Sequence, residues 1–163
     1  MGSYLEACAT AAPAFRWTPA ANLHLTLRFF GQVERSVAES VLQRLAARDP
    51  RGFEVRLGEV GTFRRGPRVR VVWLGLRSGA DEARLLAVDI ESECAAAGLV
   101  AESRPLQPHL TLARARAREG SALPELPPLP DLPAWQAGEV VLYRSRLGRA
   151  GAVYEPLREL RLS

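Results

Sequence analysis

At 163 residues, the chain can fill one good core or two small lobes, but not two large domains. Hydrophobic content of 47% with 25% charged residues is ordinary for a globular protein, and no apolar run reaches membrane-spanning length. The net charge of +4 and a pI near 9.8 favour an anionic partner without requiring one, and every cation is arginine, whose planar fork of donors suits phosphate oxygens.

The opening, MGSYLEACATAAPAFRW, lacks the basic start and solid apolar stretch of a signal peptide. Ser3 to Ala14 reads as a short alanine-rich helix ending near Pro13. Asn22 to Phe30 then alternates. Leu23, Leu25, Leu27 and Phe29 point one way, and His24, Thr26 and Arg28 the other, as in a half-buried strand. Ser36 and Glu39 have capping-box spacing at the head of a helix whose stripe is Val37, Val41, Leu42 and Leu45. Phe53 to Val60 and Val69 to Leu76 read as strands, joined by the arginine-bearing turn GTFRRGPR. A second helix runs from Asp81 to Ala97 on Ala83, Leu86, Ala87, Ile90 and Cys94, with Gly98 as its C-terminal cap. Another strand spans Leu106 to Ala115. The proline-rich LPELPPLPDLPAW must be an extended loop, and Val140 to Arg144 and Val153 to Leu162 close the chain as strands.

This order predicts an α+β architecture with antiparallel sheets and covering helices. Cys8 and Cys94 have no metal spacing and form no disulfide framework, so a reducing cytoplasm is the expected compartment.

The chain's two histidines both head the same tetrapeptide, His-Leu-Thr-Leu, at His24 and His109. Residues two apart in a strand share a face, so each copy presents one imidazole and one hydroxyl, Thr26 or Thr111. A lone histidine on a strand is usually structural, and a threonine there is usually a β-former. The duplication shifts the reading towards chemistry. Imidazole titrates near neutral pH, so one ring can take a proton from an attacking water while the other gives one to a departing oxygen. The threonines can donate to phosphate oxygens as charge develops. A metal site is a poorer reading, because no Asp, Glu or Cys shares those faces. The duplication also suggests two related halves, joined near Arg77 to Ala80; the approximate lobes are 1–78 and 79–163.

These segments resemble the 2H phosphoesterase superfamily, in its branch of bacterial and archaeal RNA 2′,3′-cyclic phosphodiesterases, also called 2′-5′ RNA ligases. FRWTPAANLHLTLRFFGQV is similar to that family's first motif, GTFRRGPRVRVVWLGL to its middle segment, and RPLQPHLTLAR to its second motif. VVLYRSRLGRAGAVYEPL resembles its C-terminal pattern. The resemblance implies a bilobal pseudo-two-fold fold, with both motifs lining a central cleft and helices on the outer faces. It implies an enzyme, expected to be a monomer, that needs neither metal nor cofactor and opens a 2′,3′-cyclic phosphate on RNA to a 2′-phosphate. It casts His24 as acid to the leaving 3′ oxygen and His109 as base to water, with Thr26 and Thr111 on the phosphate. It adds Arg114 as a further phosphate contact, although strict alternation puts Arg114 on the core face unless the strand bulges. Phe29 or Phe30 is a candidate to pack against a nucleobase, with core packing the more usual role for Phe29. Family members usually open on a strand ahead of the first helix; here that strand is missing, which would leave an edge unfilled. Two other readings stay open: an RNA-end binding module without turnover, and a phosphodiesterase for a small cyclic nucleotide.

Overall fold

The first helix, α1, runs from Gly2 to Ala11 in a computed structural model that describes residues 1–148 and 151–163, without the side chains of residues 147 and 151. Pro13 ends α1 by forcing Ala12 out of helical geometry, to φ −130° and ψ 67°. The elements that follow are β1 (Phe15–Trp17), α2 (Arg35–Ala46), β2 (Phe53–Arg65), β3 (Arg68–Ser78) and α3 (Ala80–Ala96). The chain then forms β4 (His109–Ala115), β5 (Trp135–Ala137), β6 (Glu139–Gly148) and β7 (Gly151–Arg161). The larger sheet has the order β1-β4-β3-β2-β5, and β6 and β7 form a hairpin; every described pairing is antiparallel. This is the α+β class expected. No described helix is long and apolar enough to cross a membrane.

The halves 1–78 and 79–163 are not the compact units. Each unit is assembled from three segments: 1–26, 55–80 and 108–134 in one, and 27–54, 81–107 and 135–163 in the other. A repeat read along the chain suggests contiguous halves, whereas strand pairing at long range draws β4 into the same unit as β1.

In the first unit, one face of the sheet carries Phe15, Val69, Val72, Leu74, Leu112 and Ala113, and α1 covers it with Tyr4, Leu5 and Cys8. Burial, with the Cys8 thiol alongside, pushes the Tyr4 hydroxyl up to about 12. The proline-rich segment closes the same core through Leu123, Leu126, Leu129 and Leu132. Their spacing of three matches the turn of a polyproline II helix, which puts all four on one side.

In the second unit, α2 and α3 pack Val41, Leu42, Leu45, Leu86, Ile90 and Cys94 against Val140, Leu142, Leu160 and Leu162 of the hairpin. Glu93 of α3, 8% exposed, ties the helices together by accepting from Arg48 and Arg44 of the α2 end. Those donors, Arg48 foremost, hold its carboxyl below the usual range. Gly98 ends α3 at φ 76°, as its cap position predicts. The capping box does not form. Helix α2 starts earlier, with Glu34 as N-cap and no side-chain cap, and Glu39 pairs instead with Arg35 one turn back, at 2.8 Å.

Candidate active site

The second motif lies on β4 in the middle of the first unit's sheet. The register with β3 pairs His109 with Gly75, Leu110 with Leu74 and Thr111 with Trp73. Leu110 and Leu112 are buried, while His109 and Thr111 are half-buried on the opposite face, as the alternation predicts.

The first motif does not form the regular strand expected over Asn22 to Phe30. Its one ladder contact is the antiparallel bridge Leu25↔Leu110. A 3-10 turn over Ala20–Asn22 interrupts the chain between β1 and this bridge, so the two cannot run on as one strand. The bridge joins the two motifs. In ideal strand geometry, a register carried one residue either way from it would set His24 opposite Thr111 and Thr26 opposite His109, with a local two-fold axis through the Leu25–Leu110 pair. Directly opposed Cβ atoms sit about 5 Å apart and diagonal ones about 7–8 Å. In that geometry the two imidazoles would take one diagonal of the quadrangle and the two hydroxyls the other, on one face; all four residues belong to one unit.

The ring of His24 is oriented by its own backbone. Its Nδ1 lies 2.8 Å from the Asn22 carbonyl oxygen. A carbonyl only accepts, so Nδ1 carries the proton, and Nε2 is the nitrogen that exchanges one.

The ring of His109 is held by aromatics that the sequence reading missed. Phe63 of β2 meets it edge-on, with centroids 5.2 Å apart and planes at 89°, and the Trp73 indole lies 6.0 Å away at 57°. Phe63 and Trp73 also contact each other, at 5.4 Å. The indole lies across Gly61, its cross-strand partner: a Cβ there would sit 2.2 Å from indole carbons Cη2 and Cζ2. A Cβ on Gly75 would lie 3.2 Å from Cζ3 of the same ring. Glycine inside a strand marks such a close approach, so Gly61 and Gly75 were the available signal for this platform.

Arg114 reaches the site face because β4 bulges. The register steps from Trp73↔Thr111 to Val72↔Ala113, leaving Leu112 as an extra residue. Leu112 and Ala113 are both fully buried, and the alternation resumes with Arg114 exposed on the face of His109 and Thr111.

Phe30 and Phe29 exchange their expected places. Phe30 packs on the core of the second unit, whereas Phe29 is 63% exposed. Arg28, expected to face solvent, has a side chain only 8% exposed and pairs with Glu91 at 2.6 Å and Glu102 at 2.8 Å. With no ladder beyond Leu25, the period of two lapses there, and these ion pairs set where the side chains go. Among the described residues, no cluster of three or more His, Cys, Asp or Glu side chains is placed to hold a metal ion.

Residues 5–149 match the family model of the 2′-5′ RNA ligase superfamily. An RNA 2′,3′-cyclic phosphodiesterase of Aeropyrum pernix is 36% identical over 146 residues, covering 86% of this chain and 82% of that protein. The RNA 2′,3′-cyclic phosphodiesterase of Escherichia coli is 35% identical over 151 residues, covering 92% and 81%. In structure, E. coli LigT complexed with 3′-AMP superposes with a TM-score of 0.79 at 30% identity, covering all of this chain and 93% of that one.

Proposed function

The chain belongs to the 2′-5′ RNA ligase superfamily, and from that premise we propose that it hydrolyses 2′,3′-cyclic phosphate ends of RNA to 2′-phosphates with His24 and His109 as its acid–base pair. The observation that carries the reading is the Leu25↔Leu110 bridge, which joins the two motifs and supports a diagonal placement of the two imidazoles. A phosphorus atom between them has one ring on its attacking side and one on its leaving side, which is what an in-line displacement needs.

In the forward step, neutral His109 accepts a proton from water as the water oxygen bonds to phosphorus. The bond from phosphorus to O3′ breaks, and protonated His24 gives its Nε2 proton to O3′. The products are a 2′-phosphate and a free 3′-hydroxyl. His109 then releases its proton to solvent and His24 regains one. Thr26 and Thr111 donate to the non-bridging oxygens, and Arg114 adds charge from its exposed position on the same face. Donors aimed at developing charge contribute most when they are preorganised, and a sheet holds them rigid. The chemistry asks for no cofactor and no metal. Cys8 and Cys94 are both buried free thiols, which suits a reducing cytoplasm.

The pH dependence of kcat/KM tests the pairing. One ring must be neutral and the other charged, so the profile with adenosine 2′,3′-cyclic phosphate is bell-shaped, with one limb for each imidazole. A profile that rises to a plateau and stays flat contradicts a two-histidine mechanism.

A further inference from the structure

The arginines of the turn GTFRRGPR play no part in the chemistry above, yet they lie on the same sheet. The face that carries the histidines can be followed row by row from the registers. The first row holds His109 and Gly75, and the second Thr111, Trp73 and Gly61. The third crosses four strands as Arg16, Arg114, Val71 and Phe63. The fourth is the Arg65–Arg68 pair at the end of the β2–β3 hairpin. Six residues at about 3.3 Å each put the fourth row roughly 20 Å from His109.

These four arginines, Arg16, Arg65, Arg68 and Arg114, are all exposed, and the segments that carry them, 13–18, 61–76 and 109–118, contain no acidic residue. Among the described residues, the one carboxylate paired with any of them is Glu119, 3.9 Å from Arg68, with both side chains more than half exposed. A surface pair of that kind neutralises little. In the second unit, by contrast, Arg28, Arg44 and Arg48 are each tied to carboxylates.

We propose that this arginine-lined end of the first unit is a docking track for the RNA strand leading up to the cyclic phosphate, so that the enzyme prefers oligoribonucleotides to mononucleotides. The inference rests on the phosphodiesterase reading and adds a substrate length to it. Three points favour a nucleic acid strand. Arg16 and Arg114 stand in the row next to Thr111, and Arg65 and Arg68 in the row after that. Arginine matches phosphate oxygens with paired donors. A polyanion is the ligand that an uncompensated cationic stripe attracts.

The test compares wild type with the Arg65→Gln/Arg68→Gln variant, checked for an unchanged melting temperature. The substrates are adenosine 2′,3′-cyclic phosphate and single-stranded RNAs of increasing length with the same end. KM in wild type falls as the RNA lengthens. In the variant, KM for the longer RNA rises about tenfold and the slope of log KM against log salt drops by about 1.4, two contacts at roughly 0.7 each. Hydrolysis of the mononucleotide is unchanged. A wild-type KM independent of length overturns the proposal, as does a variant that loses both substrates equally. Anisotropy with a labelled 2′-phosphate-ended RNA reads the track without turnover, so inactivity on every substrate sinks the phosphodiesterase reading while binding still decides this one. Equal binding of a polyglutamate of matched charge overturns it in favour of an undiscriminating cationic surface.

Discussion

Replacing His24 or His109 with alanine lowers kcat for 2′,3′-cyclic phosphate hydrolysis by about 10²–10⁴-fold, the range for loss of one positioned acid or base. KM moves little, because the threonines and Arg114 still hold the phosphate. Without His109 nothing accepts the proton of the attacking water, and without His24 the O3′ alkoxide leaves unprotonated. The two groups act on one transition state, so the double variant is scarcely worse than the poorer single one. EDTA leaves the wild-type rate unaltered, since no step is routed through a metal. Steady-state kinetics on variants with wild-type melting curves decide the matter. Retained activity in both single variants would falsify the assignment.

The second large effect comes from a residue with no functional group. Gly61→Ala places a methyl 2.2 Å from the Trp73 indole, well inside contact distance. The ring is rigid and is bounded by Gly75, Phe63 and His109, so it moves as a block and takes the His109 ring with it. A displacement of about 1 Å at a reacting group costs roughly 10²-fold in rate. We therefore expect kcat to fall by about that factor with KM within a few-fold, and the tryptophan emission to shift. Adding Trp73→Leu to Gly61→Ala makes room for the methyl and recovers part of the loss. A Gly61→Ala enzyme with wild-type kcat shows that the platform does not hold His109.

The sequence made the chemistry more legible than the packing around it. His24, Thr26, His109 and Thr111 could be grouped because a period of two decides facing, and the two motifs meet in the structure at the Leu25↔Leu110 bridge. Helices α2 and α3 were readable from their apolar stripes to within a residue or two. What escaped depends on long-range pairing. The bulge at Leu112 that turns Arg114 outward exists only in the register with β3. Strand β1 is three residues long, too short for a period to show, and it forms because Phe15 and Trp17 face the core that α1 covers. Phe29, Phe30 and Arg28 were misplaced for the same reason. The segment has no strand partner beyond Leu25, and Glu91 and Glu102, more than 60 residues away, decide where Arg28 goes. The Trp73 platform was within reach through Gly61 and Gly75, two glycines interrupting otherwise good strands.

The most direct test is the identity of the product. Wild-type protein and the His24→Ala/His109→Ala variant are incubated with an RNA ending in a 2′,3′-cyclic phosphate, chelator present, and the terminal phosphate is assigned by ³¹P NMR. Acid catalysis at O3′ predicts a 2′-phosphate as the sole isomer from wild type and none above background from the variant. A 3′-phosphate, a mixture of isomers or the same product from the variant contradicts the two-histidine account.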